Sequence, residues 1–325
     1  MNQHDYLINN RPYTSLLPLV DELKFKNDRN YLFELSYLSL LSIVGESAAE
    51  FLQGQLTCDV RLITNETMQQ AAMCNLKGRI LSLLDVINWQ GFKLIVPGDI
   101  LADTQTSLAK TAMLSRVKLE PDTVYKIYGF YLQNKDDLLP TDLSLPTEPL
   151  SIRSTDEACC YYLGNHLYVI LIKNEKIQAL TKTFIAKQQL RGSLAWHQLQ
   201  LKHKQLTIYP ETRGLFLPHR IDLHLSGYLS FDKGCYKGQE IVARTHYRAK
   251  LKHGLQIATI ETDEPLHAGK KLFNATRGTE IGELIDYSPI GQDNYLIAAS
   301  MLFEHPSTLL LENQQKTVTF KELGD

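Results

Sequence analysis

Cysteine is scarce in this chain and badly spaced for cross-links or metals. The five residues, Cys58, Cys74, Cys159, Cys160 and Cys235, are odd in number and include no C-x-x-C pair, which argues against both a disulfide framework and a structural zinc site. Thiols left free in this way fit a reducing, intracellular compartment. Long apolar runs are missing as well, since polar residues interrupt each one well short of the roughly 20 residues a membrane span needs. The amino end, "MNQHDYLINNRPYT", has no basic region followed by an apolar core and no Arg-rich transit character, so a cytoplasmic location is expected. Nor does one sign of charge dominate. With 34 Lys and Arg against 36 Asp and Glu the net charge is -2, which argues against a surface blanketed in cations for nucleic acid and confines any such contact to a local patch. There is no repeat and no low-complexity tract, so solenoids and long disordered arms are not expected.

What is present reads as a globular protein of mixed secondary structure. At 325 residues the chain exceeds what one hydrophobic core usually holds, and two or three domains are expected. The first 30 residues are polar and read as a partly ordered lead-in. Residues 30 to 45 read as one or two strands ending at Gly45. Ser47 with Glu50 forms a capping-box pattern, predicting a helix over 47–54 that Gly54 stops. Strands at 69–75, 80–88 and 92–96 with turns at "NLKGR" and "NWQG" predict an antiparallel meander. A helix over 101–114, two strands over 116–132, a Pro- and acid-rich loop over 134–149, a strand pair around 159–172 and a helix over 174–190 follow. Beyond Leu251, short strand-like runs (255–260, 271–273, 280–287, 295–303, 308–311, 316–320) predict a small β-barrel or sandwich.

One stretch concentrates chemistry. "FDKGCYKGQEIVAR", 231–244, sets Cys235 among Lys233, Lys237 and Arg244 and between Gly234 and Gly238. A helix beginning near Gly238 would bring amide N–H groups toward the sulfur, and cations nearby favour a thiolate. Asp232 and Glu240 oppose this. Spacing alone leaves two readings open, a reactive thiol or a small buried residue in a glycine turn. Lys77, Gly78 and Arg79 at a hairpin tip suit either an anionic ligand or plain solvation, with Asn75 and Thr57 as weaker candidates on the same surface. His219, His224, His246 and His253 have spacings that fit no helical zinc pair, so no metal site is expected. Cys159 and Cys160 are adjacent on a strand and face opposite ways. Trp196 opens "WHQLQLKHKQLTIYP", which reads as a packing element with its indole turned inward rather than a nucleic-acid surface. Direct tRNA binding is not expected.

The stretch "KGCYKGQEIVAR" resembles the signature of the YgfZ family of folate-binding proteins, relatives of the aminomethyltransferase of the glycine cleavage system. "GQLTCDV" (54–60), "CNLKGRILS" (74–82), "LAKTAMLSRVKL" (108–119), "TRGLFLP" (212–218) and "GYLSFDKGCY" (227–236) are similar to family stretches in the same order. The resemblance implies an α+β fold of two intertwined modules around a central channel, over residues 1–245 with an internal boundary near 120–195, and a carboxyl-terminal small β-barrel over 246–325. It implies a tetrahydrofolate-like cofactor and a role in the synthesis or repair of iron-sulfur clusters in enzymes such as those that methylthiolate tRNA. It makes Cys235 the functional thiol, with Lys233, Gly234, Tyr236, Lys237, Gly238, Gln239, Glu240, Arg244, Asn75, Lys77, Arg79 and Thr57 as expected binding residues. In that reading Lys233 and Lys237 hold the thiolate or a polyglutamate tail, and Glu240 pairs with Arg244 one helical turn on. Gln239 is the expected loop-to-cavity hydrogen bonder.

The chain departs from its relatives in three places. The aminomethyltransferases carry an acid after the "G-x-I" turn where this chain has Ser82 and Leu83, which argues against aminomethyl transfer. Where relatives have Glu-Ala-Gly this chain has "KHK", 202–204, so Lys202 stands where a carboxylate accepts pterin N–H bonds. His219 replaces a usual glutamine. Two alternatives therefore stand beside the leading reading: a folate-dependent one-carbon transferase, and a non-catalytic scaffold for cluster-assembly partners.

Overall fold

A computed structural model describes residues 4–135 and 139–323. Among these residues the chain forms a two-stranded hairpin and three larger sheets. The first large sheet runs Gln69–Cys74, Ile80–Asn88, Phe92–Pro97, Leu38–Val44, Lys118–Asp122, all antiparallel. The meander is therefore as expected. Its outer face packs on helices α2 (Ala48–Gln55) and α3 (Leu101–Leu114), where Phe51, Leu52, Leu108 and Ala112 meet Leu41, Leu84, Val86 and Val96. The α2 helix forms without the anticipated capping box, because the Ser47 side chain makes no cap bond; burial of Ala48, Phe51 and Leu52 supplies the stability instead.

The second large sheet runs Ile152–Ser154, Ala158–Gly164, Leu167–Lys173, Tyr125–Tyr131, Tyr31–Glu34, Leu190–Arg191, with only the last pair parallel. Helix α4 (Ile177–Ala186) covers its outer face through Leu180 and Phe184. That helix is shorter than expected, preceded by a 3-10 turn at Asn174–Lys176 and ended before Gln188, whose φ is 55°. Cys159 and Cys160 do face opposite ways, one into each core. The inner faces of the two sheets meet across helix α5 (Ser193–Lys202), whose Trp196 is fully buried beside Phe33. Gly129 makes this possible: a Cβ there would lie 2.5 Å from the indole.

The third sheet runs Thr317–Thr319, Thr308–Leu311, Lys271–Asn274, Glu280–Gly291, Asn294–Leu302, His253–Glu261, Lys321–Glu322. Its ladder is not a closed barrel. Its two edge strands, however, are separated in the chain by Phe320 alone, so the sheet curls until its edges come together.

The amino end corrects the expectation of a loose lead-in. His4–Ile8 and Arg11–Ser15 form a hairpin, followed by the single-turn helix α1 (Leu19–Glu22). Ile8 and Tyr13 are buried in the core of the third sheet together with Leu194 and Tyr209. Arg11, 1% exposed, pairs bidentately with Asp99 at 2.8 and 2.9 Å and donates to Thr207 and the Ile208 carbonyl. A polar-looking segment is thus ordered by burying Ile8 and Tyr13, and these bonds offset the cost of enclosing the Arg11 charge.

Candidate functional site

The family-like stretches, far apart in sequence, converge at one place. The Thr57 amide bonds to the Ala72 carbonyl and the Ser230 amide to the Thr57 carbonyl. The Ile80 amide donates to the Phe216 carbonyl, and Gly214 donates back to Ile80. Arg79 donates to the Leu215 carbonyl. The loop 231–238 then leads into helix α6 (Gln239–Arg248) through Gly238, the N-cap, at φ 86°. A Cβ on Gly238 would lie 2.4 Å from the Asn75 carbonyl oxygen, and one on Gly78 would lie 3.0 Å from Ile241. Only glycine fits at 238, on both conformational and steric grounds. The helix start near Gly238 is as expected, and the 75–79 turn and the Cys235 loop are one packed unit.

Cys235 is exposed, whereas Cys58, Cys74, Cys159 and Cys160 are buried. Burial pushes the thiols of Cys58, Cys74 and Cys159 up to about 12, which makes them inert near neutrality. Gly234 beside the exposed sulfur has no atom within 4 Å of a built Cβ.

The surrounding side chains do not all sit where the sequence suggested. The Lys233 ammonium is buried and donates to the carbonyls of Gln53, Leu56 and Cys58 at 2.8, 2.6 and 2.6 Å. Its three protons are used, so it holds neither the thiolate nor a ligand tail. Burial lowers it to about 8, with Cys58 and Asp59 opposing that shift. Tyr236 is buried with its ring 5.0 Å from the Lys233 nitrogen, and its hydroxyl has no partner. Burial raises that phenol well above its usual value. The Lys237 amide donates to the Gly54 carbonyl. Gln239 turns back to its own loop, accepting from the Tyr236 amide at 3.3 Å. Glu240 and Arg244 are both exposed and form no ion pair with each other. Thr57 is wholly buried and bridges the Ala72 amide and the Tyr228 carbonyl at 2.8 and 2.7 Å, a structural bond rather than a contact surface. Asn75 Oδ1 accepts from the amides of Lys77 and Arg79 and shapes the turn. The side chains of Lys77 and Arg79 are exposed.

A second locus lies between the two inner sheet faces, a cavity of about 50 Å³ lined by Tyr37, Asp85, Trp196, Gln200, Gln205 and Tyr228 among others. None of the expected binding residues lines it. Larger clefts of about 440 and 530 Å³ lie elsewhere and likewise contain no residue of the 75–79 or 231–244 segments. What singles out the small cavity is its half-buried, hydrogen-bonded acid. Asp85 accepts from Gln70 Nε2 at 3.0 Å and from the Tyr161 hydroxyl at 2.8 Å, and Gln70 donates on to Gln205 at 2.8 Å. Burial raises the Asp85 carboxyl, and those two hydrogen bonds oppose the shift. Trp196 Nε1 is buried with no acceptor.

Sequence reasoning missed Asp85. It lies two residues beyond Leu83 on the same strand face, and both line the cavity; the period of two along a strand was the available signal. Lys202 ends α5 exposed and is not on the cavity wall, while Gln200 and Gln205 are. Lys204 adopts φ 59°, the left-handed conformation that suits the glycine expected there from the resemblance.

The histidines also differ from expectation in one respect. His219, His224 and His246 come together, with ring centroids 4.9 and 5.8 Å from His219, and Phe231 stacks on His246 at 3.7 Å. Both ring nitrogens of His219 are buried without a partner, and burial lowers it to about 4. His253 stands near Arg220 and Lys252 instead. Among the described residues no group of three or more His, Cys, Asp or Glu is arranged to hold a metal ion. No described helix is long and apolar enough to cross a membrane.

No family model matches the chain. It is 26% identical over 242 residues to the tRNA-modifying protein YgfZ of Colwellia psychrerythraea, covering 73% of this chain and 74% of that protein. It is 28% identical over 245 residues to the protein of the same name from Escherichia coli, covering 74% and 75%. The fold matches glycine cleavage system aminomethyltransferase T from Bartonella henselae with a TM-score of 0.76 over 99% of this chain and 93% of that one, at 15% identity. With its signature stretches packed around one exposed cysteine, the chain is a relative of the tRNA-modifying protein YgfZ, built on the aminomethyltransferase fold.

Proposed function

We propose that this protein binds a reduced folate and supports the synthesis or repair of iron-sulfur clusters in enzymes such as tRNA methylthiolases, with Cys235 as the working thiol. The observation that carries the reading is the contrast among cysteines: four are sealed in hydrocarbon, and the fifth stands exposed on a loop that the rest of the motif holds in place. A thiol meant to meet a partner's cluster must be accessible, and only Cys235 qualifies among the five. Lys77 and Arg79 on the turn packed against Gly238, and Arg244 on α6, are exposed, suiting an acidic partner surface or an anionic ligand tail.

The cavity chemistry suits a pterin edge. Asp85 offers carboxylate oxygens to ring N–H donors, Gln200 and Gln205 offer amides, and Trp196 Nε1 offers a donor to a ring carbonyl. Its about 50 Å³ is well below the few hundred Å³ typical of ligand pockets, so folate entry requires lining side chains to move. The bound folate would supply one-carbon or redox chemistry; Gln70 and Tyr161 hold Asp85 in place for it.

Two measurements test this. In cells lacking the protein, Cys235→Ser should fail to restore cluster-enzyme activity while Cys159→Ser restores it; equal rescue by both removes the thiol from the account. Titration of tetrahydrofolate should saturate, and Asp85→Asn should weaken it about tenfold, the worth of one charged hydrogen bond. A second reading, a folate-dependent one-carbon transferase, gains support from Asp85, which restores a carboxylate to the cavity wall. It requires turnover of an aminomethyl or methyl donor that Asp85→Asn abolishes and Cys235→Ser leaves intact.

A further inference from the structure

We propose that Lys233 is a positioning residue, a tertiary cap on the carboxyl end of α2 that seats the Cys235 loop. Helix α2 ends without the usual devices. Its C-cap, Leu56, has extended backbone at φ -110° and ψ 155°, and no basic residue lies in its last turn. The last carbonyls of a helix have no partner within it and carry the negative end of the helix dipole.

The Cys235 loop supplies what is missing. Lys233, 177 to 180 residues further along, reaches the carbonyls of Gln53 and Leu56 and, just beyond, that of Cys58. Four residues later the Lys237 amide takes the carbonyl of Gly54. Cys235 sits midway between these two attachments. Tyr236, buried beneath Lys233, is a third, and Gly238 against Asn75 a fourth.

A buried ammonium is costly unless its protons are all bonded. Lys233 is 7% exposed and, among the described residues, has no carboxylate within ion-pair distance; three carbonyl oxygens compensate it. The arrangement is specific to lysine, whose three tetrahedral N–H donors match three converging acceptors, whereas a planar guanidinium does not. Held at 233, 236, 237 and 238, the loop leaves the sulfur outside with little freedom to swing. This role for Lys233 serves the thiol function proposed above and rests on that reading for its purpose, but its test does not use activity.

Because the other cysteines are buried, a nitroxide reagent will label Cys235 selectively in the full chain. The spectrum of the labelled wild type should be that of a motionally restricted side chain. In Lys233→Met the rotational correlation time should shorten several-fold, as an unseated loop gains local freedom, with unchanged far-ultraviolet circular dichroism. Lys233→Gln, which returns two N–H donors, should fall between, and carries the test if the methionine variant does not fold. A label on Met113→Cys in a Cys235→Ser chain, on the exposed face of α3, should be indifferent to both changes. A wild-type label already fully mobile, or equal spectra for wild type and the folded Lys233 variants, overturns the proposal. Failure of Cys235→Ser to affect cells would remove the thiol reading and leave this result untouched.

Discussion

The loop 233–238 and the end of α5 at 202–204 use their side chains in opposite ways. In the loop, Lys233 has all three protons bonded, Tyr236 is buried, and Gly238 is pressed against another backbone. At the end of α5, Lys202 is exposed and Lys204 bears a side chain on left-handed backbone. Tertiary contact explains the difference. Where a residue's atoms are enclosed by distant segments, a substitution must displace them; where they face water, a lysine can replace an acid or a glycine for a modest backbone cost.

The sharpest way to break that comparison is Gly238→Ala. With a Cβ 2.4 Å from a carbonyl oxygen at φ 86°, urea denaturation should show a loss of about 3 kcal/mol, and an unchanged midpoint would mean the loop is not packed on the 75–79 turn. Next comes His219, buried where the sequence resemblance leads one to expect glutamine. Its folded value, about 4 against 6.5, means that the unfolded chain binds the proton more readily, so stability falls as pH drops below 6.5 toward 4. His219→Gln should remove about 1–2 kcal/mol of that fall, read as a flatter dependence of the melting temperature on pH; parallel curves would show the imidazole is not held neutral.

Smallest of all, Gly234→Ala should change stability by no more than about 0.5 kcal/mol, since open space surrounds that position. A large effect there would show that the two glycines of the motif are equivalent, which the packing denies.

Much of the fold was legible because its elements carry strong local patterns. Helix α3 falls on the predicted 101–114, and the 80–88 strand on its predicted span. Helix α6 begins where the Gly238 signal placed it. The amino-terminal hairpin was not legible, because Arg11 reads as a surface residue until Asp99, Thr207 and Ile208 enclose it. In the site, Cys235 stood out by its neighbours. Asp85 did not, since the resemblance points to an acid at positions 82 and 83, while the cavity recruits one a strand period later.

The sequence by itself determined the order of helices and strands, the scarcity and spacing of the thiols, and the family whose motifs the chain repeats. These are local or positional properties of the polymer. Tertiary structure alone decided that Lys233 caps a helix 180 residues away in the chain, that Asp85 faces the cavity, and that three histidines meet. Each depends on which surfaces come together around a buried charge or ring, and desolvation, which sets the cost of those meetings, is a property of the packed molecule.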